Sequence, residues 1–303
     1  MSEMLTTREV AEFLRINEKR VYSLVEHSGL PATKATGKWL FPKDLVRTWL
    51  ENRTLNDPRR STVLGQDSPL FVVAGSNDLL LERCLDLFMR TFPEYTAVFG
   101  NLGSLGGIRA LHRGLCHVAA SHLIQDDERD YNFNHASREL DEPPAVVNFS
   151  RREQGLLLPP GNPRRIHSVA DLRGQNLRLA TRQPGTGTRL WFEHDLEAAG
   201  LSPEKAQADS PVMQRHLDVG LEVLAGRVDL GPGIRAVASL LELDFLPLHW
   251  ERFDLLIDKE TFFQKSIQAF LGIMQQEEFR AEAERLTGYD VSASGRMVYP
   301  GQE

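Results

Sequence analysis

Apolar residues recur every three or four positions in three stretches of the first 53 residues, which predicts three short helices. The first helix begins at Thr6–Glu9, where the threonine and the glutamate can form a capping box. The second spans residues 18–28, with Asn17 as its N-cap and Gly29 as its C-terminal stop. The third begins at Pro42, a residue well suited to the start of a helix.

A short hairpin is predicted between the second and third helices, because two extended segments flank Gly37. The order helix, turn, helix, hairpin, helix is that of a winged helix-turn-helix. We therefore predict a DNA-binding domain over residues 1–53. A small interaction module with a solvated charged face is the alternative. Tyr22, Trp39 and Trp49 are expected in the core of this domain rather than stacked on bases.

This segment resembles the excisionase-like branch of the MerR-type DNA-binding domains. The resemblance rests on Leu5–Leu14, Val21-Tyr22, Gly29–Ala32 and Gly37–Leu45. In that family the second helix enters the major groove and the wing touches the adjacent DNA backbone, and Lys and Arg side chains can neutralise phosphates there. The DNA-contacting residues it implies here are Asn17, Lys19, Arg20, Tyr22 and Ser23 on the second helix, with Lys34 and Lys38 on the wing. Leu40 departs from the family, which often has a basic residue at that position.

Strand and helix patterns alternate over residues 69–303, which predicts an α/β fold. Short apolar strands at residues 70–74, 96–99 and 117–120 are each followed by a turn that contains Gly or Ser. In open α/β sheets ligands bind beyond the carboxyl ends of the strands, where helix N-termini favour anions. These turns therefore predict a cleft for an anionic or polar ligand.

The second half of this region contains a loop rich in hydrogen-bond donors. Separate strands are predicted at 145–149 and 156–158, and a later strand runs into the loop Thr181–Arg189. The loop can surround an oxyanion with hydroxyls, backbone N–H groups and guanidinium groups. It lacks the Gly-Lys-Ser/Thr ending of a P-loop. Helices are predicted at 190–199 and, as one long C-terminal helix, at 262–286.

Ten residues at the strand ends and in this loop are the candidate ligand contacts. They are Ser76, Asn77, Ser104, Ser121, His122, Arg182, Thr186, Gly187, Thr188 and Arg189. Ser and Thr also cap helices routinely, and a structural role for His122 is an equal alternative. Arg152 is a further cation that can pair with a dianion or with an ordinary carboxylate. Tyr131-Asn132 lie in a loop that can close over the cleft.

Residues 69–300 resemble the periplasmic-binding-protein-like domain of cytoplasmic regulators that carry an excisionase-like head. The matching segments include Gly103–Gly107, Ser121–Leu123, Arg151–Gly155, Thr181–Arg189 and Glu251–Leu255. The resemblance implies a two-lobed, type II fold, with lobe one at 69–150 and 253–303 and lobe two at 155–250. Molybdate and tungstate receptors share this fold, so the implied ligand is a tetrahedral oxyanion. Thr181 and Phe253 depart from the family, which more often has Asn and Tyr at these positions.

Charge and composition narrow the class of protein. The net charge is −7, yet the first 60 residues carry 11 Lys and Arg against 8 Asp and Glu, so a basic head stands beside an acidic remainder. No run of about 18 apolar residues predicts a membrane span, and no signal peptide is expected. Two cysteines are too few for a disulfide scaffold or a zinc cluster. Hydrolase, metalloprotease and dinucleotide-binding motifs are missing, so neither catalysis nor a cofactor is predicted.

The sequence therefore predicts a cytoplasmic, ligand-responsive transcription regulator that senses molybdate or tungstate and binds double-stranded DNA. One head offers few base contacts, so a homo-oligomer on a repeated DNA site is expected. Residues 54–68, which hold Pro, Gly and charged residues, are expected to link the two domains. The alternative function is a carrier for molybdenum cofactor or a pterin precursor. A carrier of that kind favours aromatic residues around the cleft, and 8% aromatics, mostly Phe, argues against it.

Overall fold

The computed structural model describes residues 3–34, 37–51, 53, 68–124 and 131–300. The chain divides into two compact units, residues 1–62 and 63–303, which we call the head and the body. The linker predicted at 54–68 lies outside the described residues, except for Ser68.

The described part of the head contains three helices and a small sheet. The elements are β1 (Met4–Thr6), α1 (Thr7–Leu14), α2 (Glu18–Ser28), β2 (Leu40–Pro42) and α3 (Lys43–Glu51). The two strands pair antiparallel, with Leu5 opposite Phe41. A single antiparallel bridge between Thr33 and Leu40 holds the base of the wing. The head is therefore a winged helix-turn-helix, as the sequence predicts.

Local capping explains where the first two helices begin and end. The Thr6 hydroxyl accepts the backbone N–H of Glu9 at 3.3 Å, and the Glu9 carboxylate accepts the Thr6 N–H at 2.7 Å. The Oδ1 atom of Asn17 accepts the N–H of Arg20 at 2.8 Å, which caps α2. Gly29 ends α2 with a φ of 64°, a left-handed conformation that glycine adopts without steric cost.

The interior of the head is apolar. Val21 and Phe41 are fully buried, and Trp39 and Trp49 are half-buried against the same core. The expectation that Tyr22 belongs to this core is wrong, because its side chain is 40% exposed. Tyr22 follows Val21 on α2, and neighbouring helical residues point about 100° apart, so burying Val21 turns Tyr22 towards solvent.

The described part of the body alternates strands and helices. Its strands are β3 (Leu70–Gly75), β4 (Thr96–Asn101), β5 (Val118–Ser121), β6 (Ala145–Leu158), β7 (Thr181–Arg182), β8 (Val212–Met213), β9 (Gly231–Ile234), β10 (Asp244–Ile257) and β11 (Tyr289–Asp290). Its α-helices are α4 (Leu79–Thr91), α5 (Gly103–His112), α6 (Phe133–Glu139), α7 (Gly187–Ala198), α8 (Pro203–Ala206), α9 (His216–Leu224), α10 (Arg235–Leu240), α11 (Lys265–Ile273) and α12 (Glu277–Leu286). A short 3-10 helix covers Val169–Leu172.

One mixed sheet organises the body. Its strand order is β11-β6-β10-β5-β3-β4, and β9 also pairs with β6. Strand β3 is parallel to both β4 and β5, whereas β10 runs antiparallel to β5 and to the whole of β6. Strands β7 and β8 form a separate parallel pair. We call the part built on β3–β5 lobe one and the part built on β7–β9 lobe two; β6 and β10 connect them.

The long strand β6 differs from the sequence prediction. The two strands predicted at 145–149 and 156–158 are one strand of 14 residues, because the polar stretch between them stays paired with β10. Arg152 lies opposite Glu251 in that pairing. Charged residues in the middle of a strand look like a loop in sequence, but here Arg152 buries its charge against Glu251 of the neighbouring strand.

Two predicted helices also change. Helix α7 begins at Gly187 rather than at residue 190, which places Thr188 in its first turn. The single helix predicted at 262–286 is two helices, α11 and α12. Ile273 and Phe279 would point about 120° apart on one straight helix, and the break between α11 and α12 allows both to be buried.

Aromatic packing forms much of the core of lobe one. The ring of Phe71 lies 5.1 Å from that of Phe88 and 5.0 Å from that of Phe270, which brings α11 onto β3 and α4. Lobe two has its own cluster, which includes Phe192 on α7 and Leu230 before β9. Among the residues that the structure describes, no helix has the length and apolar character needed to cross a membrane.

Candidate functional site

Three polar side chains of lobe one meet at the carboxyl ends of its parallel strands. Ser76 follows β3, Ser104 lies in the first turn of α5, and His122 follows β5. The Nε2 atom of His122 is 2.8 Å from Ser76 Oγ, and the His122 backbone N–H donates to Ser104 Oγ at 3.3 Å. All three residues are almost completely buried. Three of the strand-end candidates thus form one connected cluster.

The N-terminus of α7 in lobe two lies directly against this cluster. A Cβ atom on Gly187 would stand 2.5 Å from the Nδ1 atom of His122 and 2.8 Å from its carbonyl oxygen. Glycine is therefore what allows the two lobes to approach so closely. The first turn of a helix carries N–H groups without intrahelical acceptors, so α7 brings free donors and a positive dipole end to the cluster.

A buried carboxylate on β10 connects the two lobes. Glu251 accepts a hydrogen bond from Arg152 and another, at 2.6 Å, from Gln154 Nε2. Its second oxygen is 2.9 Å from His122 Nδ1. Gln154 also donates to Thr188 Oγ1 of α7 at 3.1 Å. A chain of hydrogen bonds therefore runs from His122 of lobe one through Glu251 to Thr188 of lobe two.

Glu251 belongs to a fully buried ion network with Arg152 and Asp78. The Nη1 atom of Arg152 is 2.8 Å from Asp78 Oδ2, and its guanidinium lies over the Phe253 ring at 4.4 Å. Burial alone favours the neutral acid, but the charge of Arg152 and the ring of His122 outweigh it and hold the pKa of Glu251 well below its usual range. Each of these charges has an opposite partner, which buried ions require.

Within the part of the chain that the structure describes, Arg182 and His216, both in lobe two, form no ion pair, although the charges of Asp218 and Glu251 act on Arg182. Arg182 is 3% exposed and His216 is 1% exposed. Four of their nitrogens have no hydrogen-bond partner within the described residues: Nε and Nη1 of Arg182, and Nδ1 and Nε2 of His216. Burial, followed by the like charge of Arg152, lowers the pKa of Arg182 to about 10. Native proteins seldom leave buried polar atoms unpaired, so these atoms mark a place where a ligand can supply acceptors.

The balance of donors and acceptors decides what this site can bind. The carboxylates of Glu251 and Asp78 are already occupied by protein donors, whereas the Arg182 guanidinium and the N-terminus of α7 still have N–H groups to offer. Converging N–H groups beside a cation suit an anion. The arrangement can therefore hold a small anion between the lobes without any further charge from the protein.

Four of the ten candidate residues make their hydrogen bonds elsewhere. Ser121 Oγ donates to Asn132 Oδ1 at 2.6 Å, Asn77 Nδ2 to Glu82 at 2.6 Å, Thr186 Oγ1 to the Gln183 carbonyl at 2.8 Å, and Arg189 Nε to Glu193 at 2.7 Å. These bonds give each side chain a structural role. Ligand contacts from these four residues stay a prediction.

The loop at Tyr131-Asn132 is fixed in the interior rather than free to close over a cleft. Asn132 is fully buried, and its amide donates to Asp254 Oδ2 at 2.9 Å while its Oδ1 accepts the Leu123 N–H at 2.9 Å. Asp254 is also fully buried, and that burial raises the pKa of its carboxyl. Asn132 therefore ties the chain after β5 to β10.

Sequence reasoning does not single out Gln154, Glu251 or His216 as site residues. The first two lie in the segments Arg151–Gly155 and Glu251–Leu255, which contribute to the family resemblance, so a signal for them is present in the chain. His216 begins α9 outside every motif. Its importance becomes visible only through its burial and its unpaired ring nitrogens.

The outer face of α2 holds most of the implied DNA contacts. Lys19, Arg20 and Tyr22 are exposed, and Ser23 is half-buried. Asn17 is exposed as well; its Oδ1 caps the helix, which leaves its amide N–H groups available for a base edge. Four of these residues, all except Tyr22, line a shallow depression in the surface of the head.

The two wing lysines are also exposed. Lys34 and Lys38 flank residues 35–36, which lie outside the described residues. The Nζ atom of Lys34 lies 5.5 Å from the centre of the Trp39 ring, a cation–π distance. The Trp39 ring, which directly precedes β2, therefore stabilises the Lys34 charge.

The fold and the site define a class of protein, in which a helix-turn-helix head shares a chain with a two-lobed body of the binding-protein type. The chain belongs to the PBP superfamily: the model described as a PBP superfamily domain matches residues 85–275. A second family model, described as a helix-turn-helix domain, matches residues 4–54. Both matches confirm the predicted fold class.

Three known proteins are similar to this chain in sequence or in fold. The uncharacterized protein YvgK of Bacillus subtilis (strain 168) is 24% identical over 301 residues, which cover 97% of each chain. A putative phosphate ABC transporter substrate-binding protein with bound phosphate from Clostridium perfringens is 15% identical, with a TM-score of 0.55 over 72% of this chain and 97% of that one. The periplasmic molybdate-binding protein of Azotobacter vinelandii is 18% identical, with a TM-score of 0.55 over 73% and 98%. The two structures share the fold of the body.

Proposed function

We propose that this protein is a ligand-responsive transcription regulator whose body binds a small oxyanion and whose head binds double-stranded DNA. The observation that carries the ligand half is Arg182, a buried guanidinium with two nitrogens unpaired within the described residues. Its charge acts on His122, against which the N-terminus of α7 packs. The function is binding without chemical conversion. Because it acts on DNA, we place the protein in the cytoplasm.

Molybdate or tungstate is the proposed ligand. Phosphate keeps a hydrogen at neutral pH and needs an acceptor for it, whereas molybdate and tungstate carry none. The carboxylates of Glu251 and Asp78 are already held by protein donors, and Asp218, which also acts on Arg182, accepts the backbone N–H of Arg215. A site that offers mainly donors therefore favours a fully deprotonated oxyanion. The body is similar in fold to a molybdate-binding and to a phosphate-binding protein, so both ions have to be tested.

Ligand binding is proposed to act on DNA through the lobes. Gly187 and His122 meet only when the lobes are close together, so a bound anion that contacts both lobes favours the closed form. One head can reach few bases, so we expect two or more copies to bind a repeated DNA site. Closure of the lobes then changes the fraction of molecules in which the heads are spaced to match that DNA site.

Titration calorimetry tests the ligand. Purified protein is titrated with molybdate, tungstate, sulfate, phosphate and a pterin under identical conditions. Tight binding of molybdate or tungstate, with much weaker binding of phosphate, supports the proposal, whereas tighter binding of phosphate contradicts it. Heat from the pterin and from neither metal oxyanion supports the cofactor-carrier alternative instead.

A DNA mobility shift on the protein's own promoter fragment tests the head. Lys19→Ala with Arg20→Ala should weaken binding, because the exposed face of α2 loses two phosphate contacts. Arg47→Ala is the matched control, since it removes an exposed charge from α3. Equal binding by the double variant and the control would overturn the assignment of α2.

A further inference from the structure

His216 is a buried imidazole without hydrogen bonds. It is the first residue of α9 and is 1% exposed. Within the described residues neither Nδ1 nor Nε2 has a partner. A neutral imidazole has one donor and one acceptor, and burying both without partners is unfavourable. The protein tolerates this cost at a position that no local structural role explains.

Two of the charged groups that act on His216 share the same deficiency. Arg182, on β7, has Nε and Nη1 unpaired, and Arg152, on β6, has Nη2 unpaired. His122, which follows β5, completes the set of titratable groups that act on the ring. Asp218 lies two residues along α9, but its carboxylate accepts the backbone N–H of Arg215 at 3.0 Å. The groups that act on His216 are therefore two cations and one imidazole, without a carboxylate among them.

We propose that His216 contacts the bound anion through a ring N–H and gains a proton when the anion binds, which makes anion affinity rise as the medium becomes more acidic. This inference rests on the proposed function, because it concerns the same site. It adds a specificity-determining contact and a proton-linked regulation that the strand-end and loop residues do not provide.

The direction of the linkage follows from the charges. Burial, then the positive charges of Arg182 and Arg152 and the ring of His122, lower the pKa of His216 well below its usual value, so the ring is neutral in the ligand-free protein. A dianion placed beside it favours the charged ring and raises that pKa. Binding therefore takes up a proton where the pH lies between the pKa of the ligand-free state and the higher pKa of the bound state. In that interval the dissociation constant falls by up to about tenfold for each unit by which the pH is lowered.

Calorimetry with molybdate provides the test, in two buffers of different ionisation enthalpy between about pH 6 and pH 8. The buffer dependence of the heat counts the protons taken up. The wild-type protein should take up protons and bind more tightly towards pH 6. His216→Gln keeps a donor but cannot titrate, so it should bind with weak pH dependence and without proton uptake. His167→Gln, an exposed histidine of the same lobe, is the matched control and should behave like the wild type.

A second measurement needs no substitution. In protein labelled with ¹⁵N-histidine, the ring nitrogens of His216 should report the neutral form without ligand and shift towards the charged form when molybdate is added. Wild-type protein that binds neither molybdate nor tungstate overturns the proposed function itself. Normal binding with identical proton uptake in wild type and His216→Gln, or a ring that does not respond to molybdate, overturns only the role of His216.

Discussion

Replacing Arg182 with methionine is expected to stabilise the ligand-free protein and to weaken anion binding at the same time. The arginine side chain is 3% exposed, and its Nε and Nη1 atoms are unpaired within the described residues. Methionine fills a similar volume without a charge. A residue retained against stability in this way is expected where binding requires it.

The magnitude follows from the pKa of Arg182. Its lowering from 12.5 to about 10 means that the fold disfavours the charged form. At roughly 1.36 kcal/mol per pH unit, the lowering corresponds to about 3 kcal/mol, an upper value for the gain in the free energy of unfolding. This penalty is fully present below about pH 10 and is relieved as the pH rises above that value. The loss of two charge-assisted hydrogen bonds, each about 1.5–3 kcal/mol, should weaken molybdate binding at least about 100-fold.

Thermal unfolding without ligand and calorimetric titration with molybdate measure the two effects. The melting temperature should rise by several degrees, at roughly 2–4 °C per kcal/mol for a unit of this size. Arg178→Met is the matched control, because Arg178 is exposed and pairs with Asp229 at the surface of the body. It should change stability by about 1 kcal/mol or less and leave affinity unchanged. An Arg182→Met protein that melts lower and still binds molybdate as the wild type does would refute the reasoning.

Three further substitutions test the other structural claims. Glu251→Gln takes one of two carboxylates from the buried Arg152 and should lower the free energy of unfolding in urea by about 3–5 kcal/mol; an unchanged midpoint would contradict the ion network. Thr6→Ala removes the N-cap of α1 at a cost of about 1 kcal/mol, so amide hydrogen exchange in α1 should become about fivefold faster, and no change would remove the cap from the explanation. Gly187→Ala places a Cβ 2.5 Å from the His122 ring and should weaken molybdate binding at least about tenfold. Gly272→Ala, where a Cβ meets open space, should leave binding unchanged. Equal effects of the two substitutions would contradict close approach of the lobes.

The head could be predicted in detail because its signals are local. Thr6 and Glu9 lie three residues apart, and Asn17 and Gly29 sit immediately outside α2. Each of these interactions is complete within a few residues, so the sequence pattern contains both partners. Tyr22 is the exception, because its exposure depends on how α2 packs against the rest of the head.

The meeting of Ser76, Ser104 and His122 could also be predicted, since the carboxyl ends of parallel strands lie at one edge of a sheet. The connecting network could not. Arg152 and Glu251 are 99 residues apart in the chain, and their pairing follows from the register of β6 against β10. Without that pairing, buried charges in a strand cannot be distinguished from a solvated loop.

Diffraction from crystals grown with tungstate tests the central claim most directly, because tungsten scatters anomalously and reveals its own position. An anomalous peak between the lobes, with its oxygens within hydrogen-bond distance of the Arg182 guanidinium and the first turn of α7, is the predicted result. Two results in crystals of tungstate-saturated protein would contradict an anion site between the lobes. In one the peak lies elsewhere; in the other there is no peak and Arg182 keeps its present surroundings.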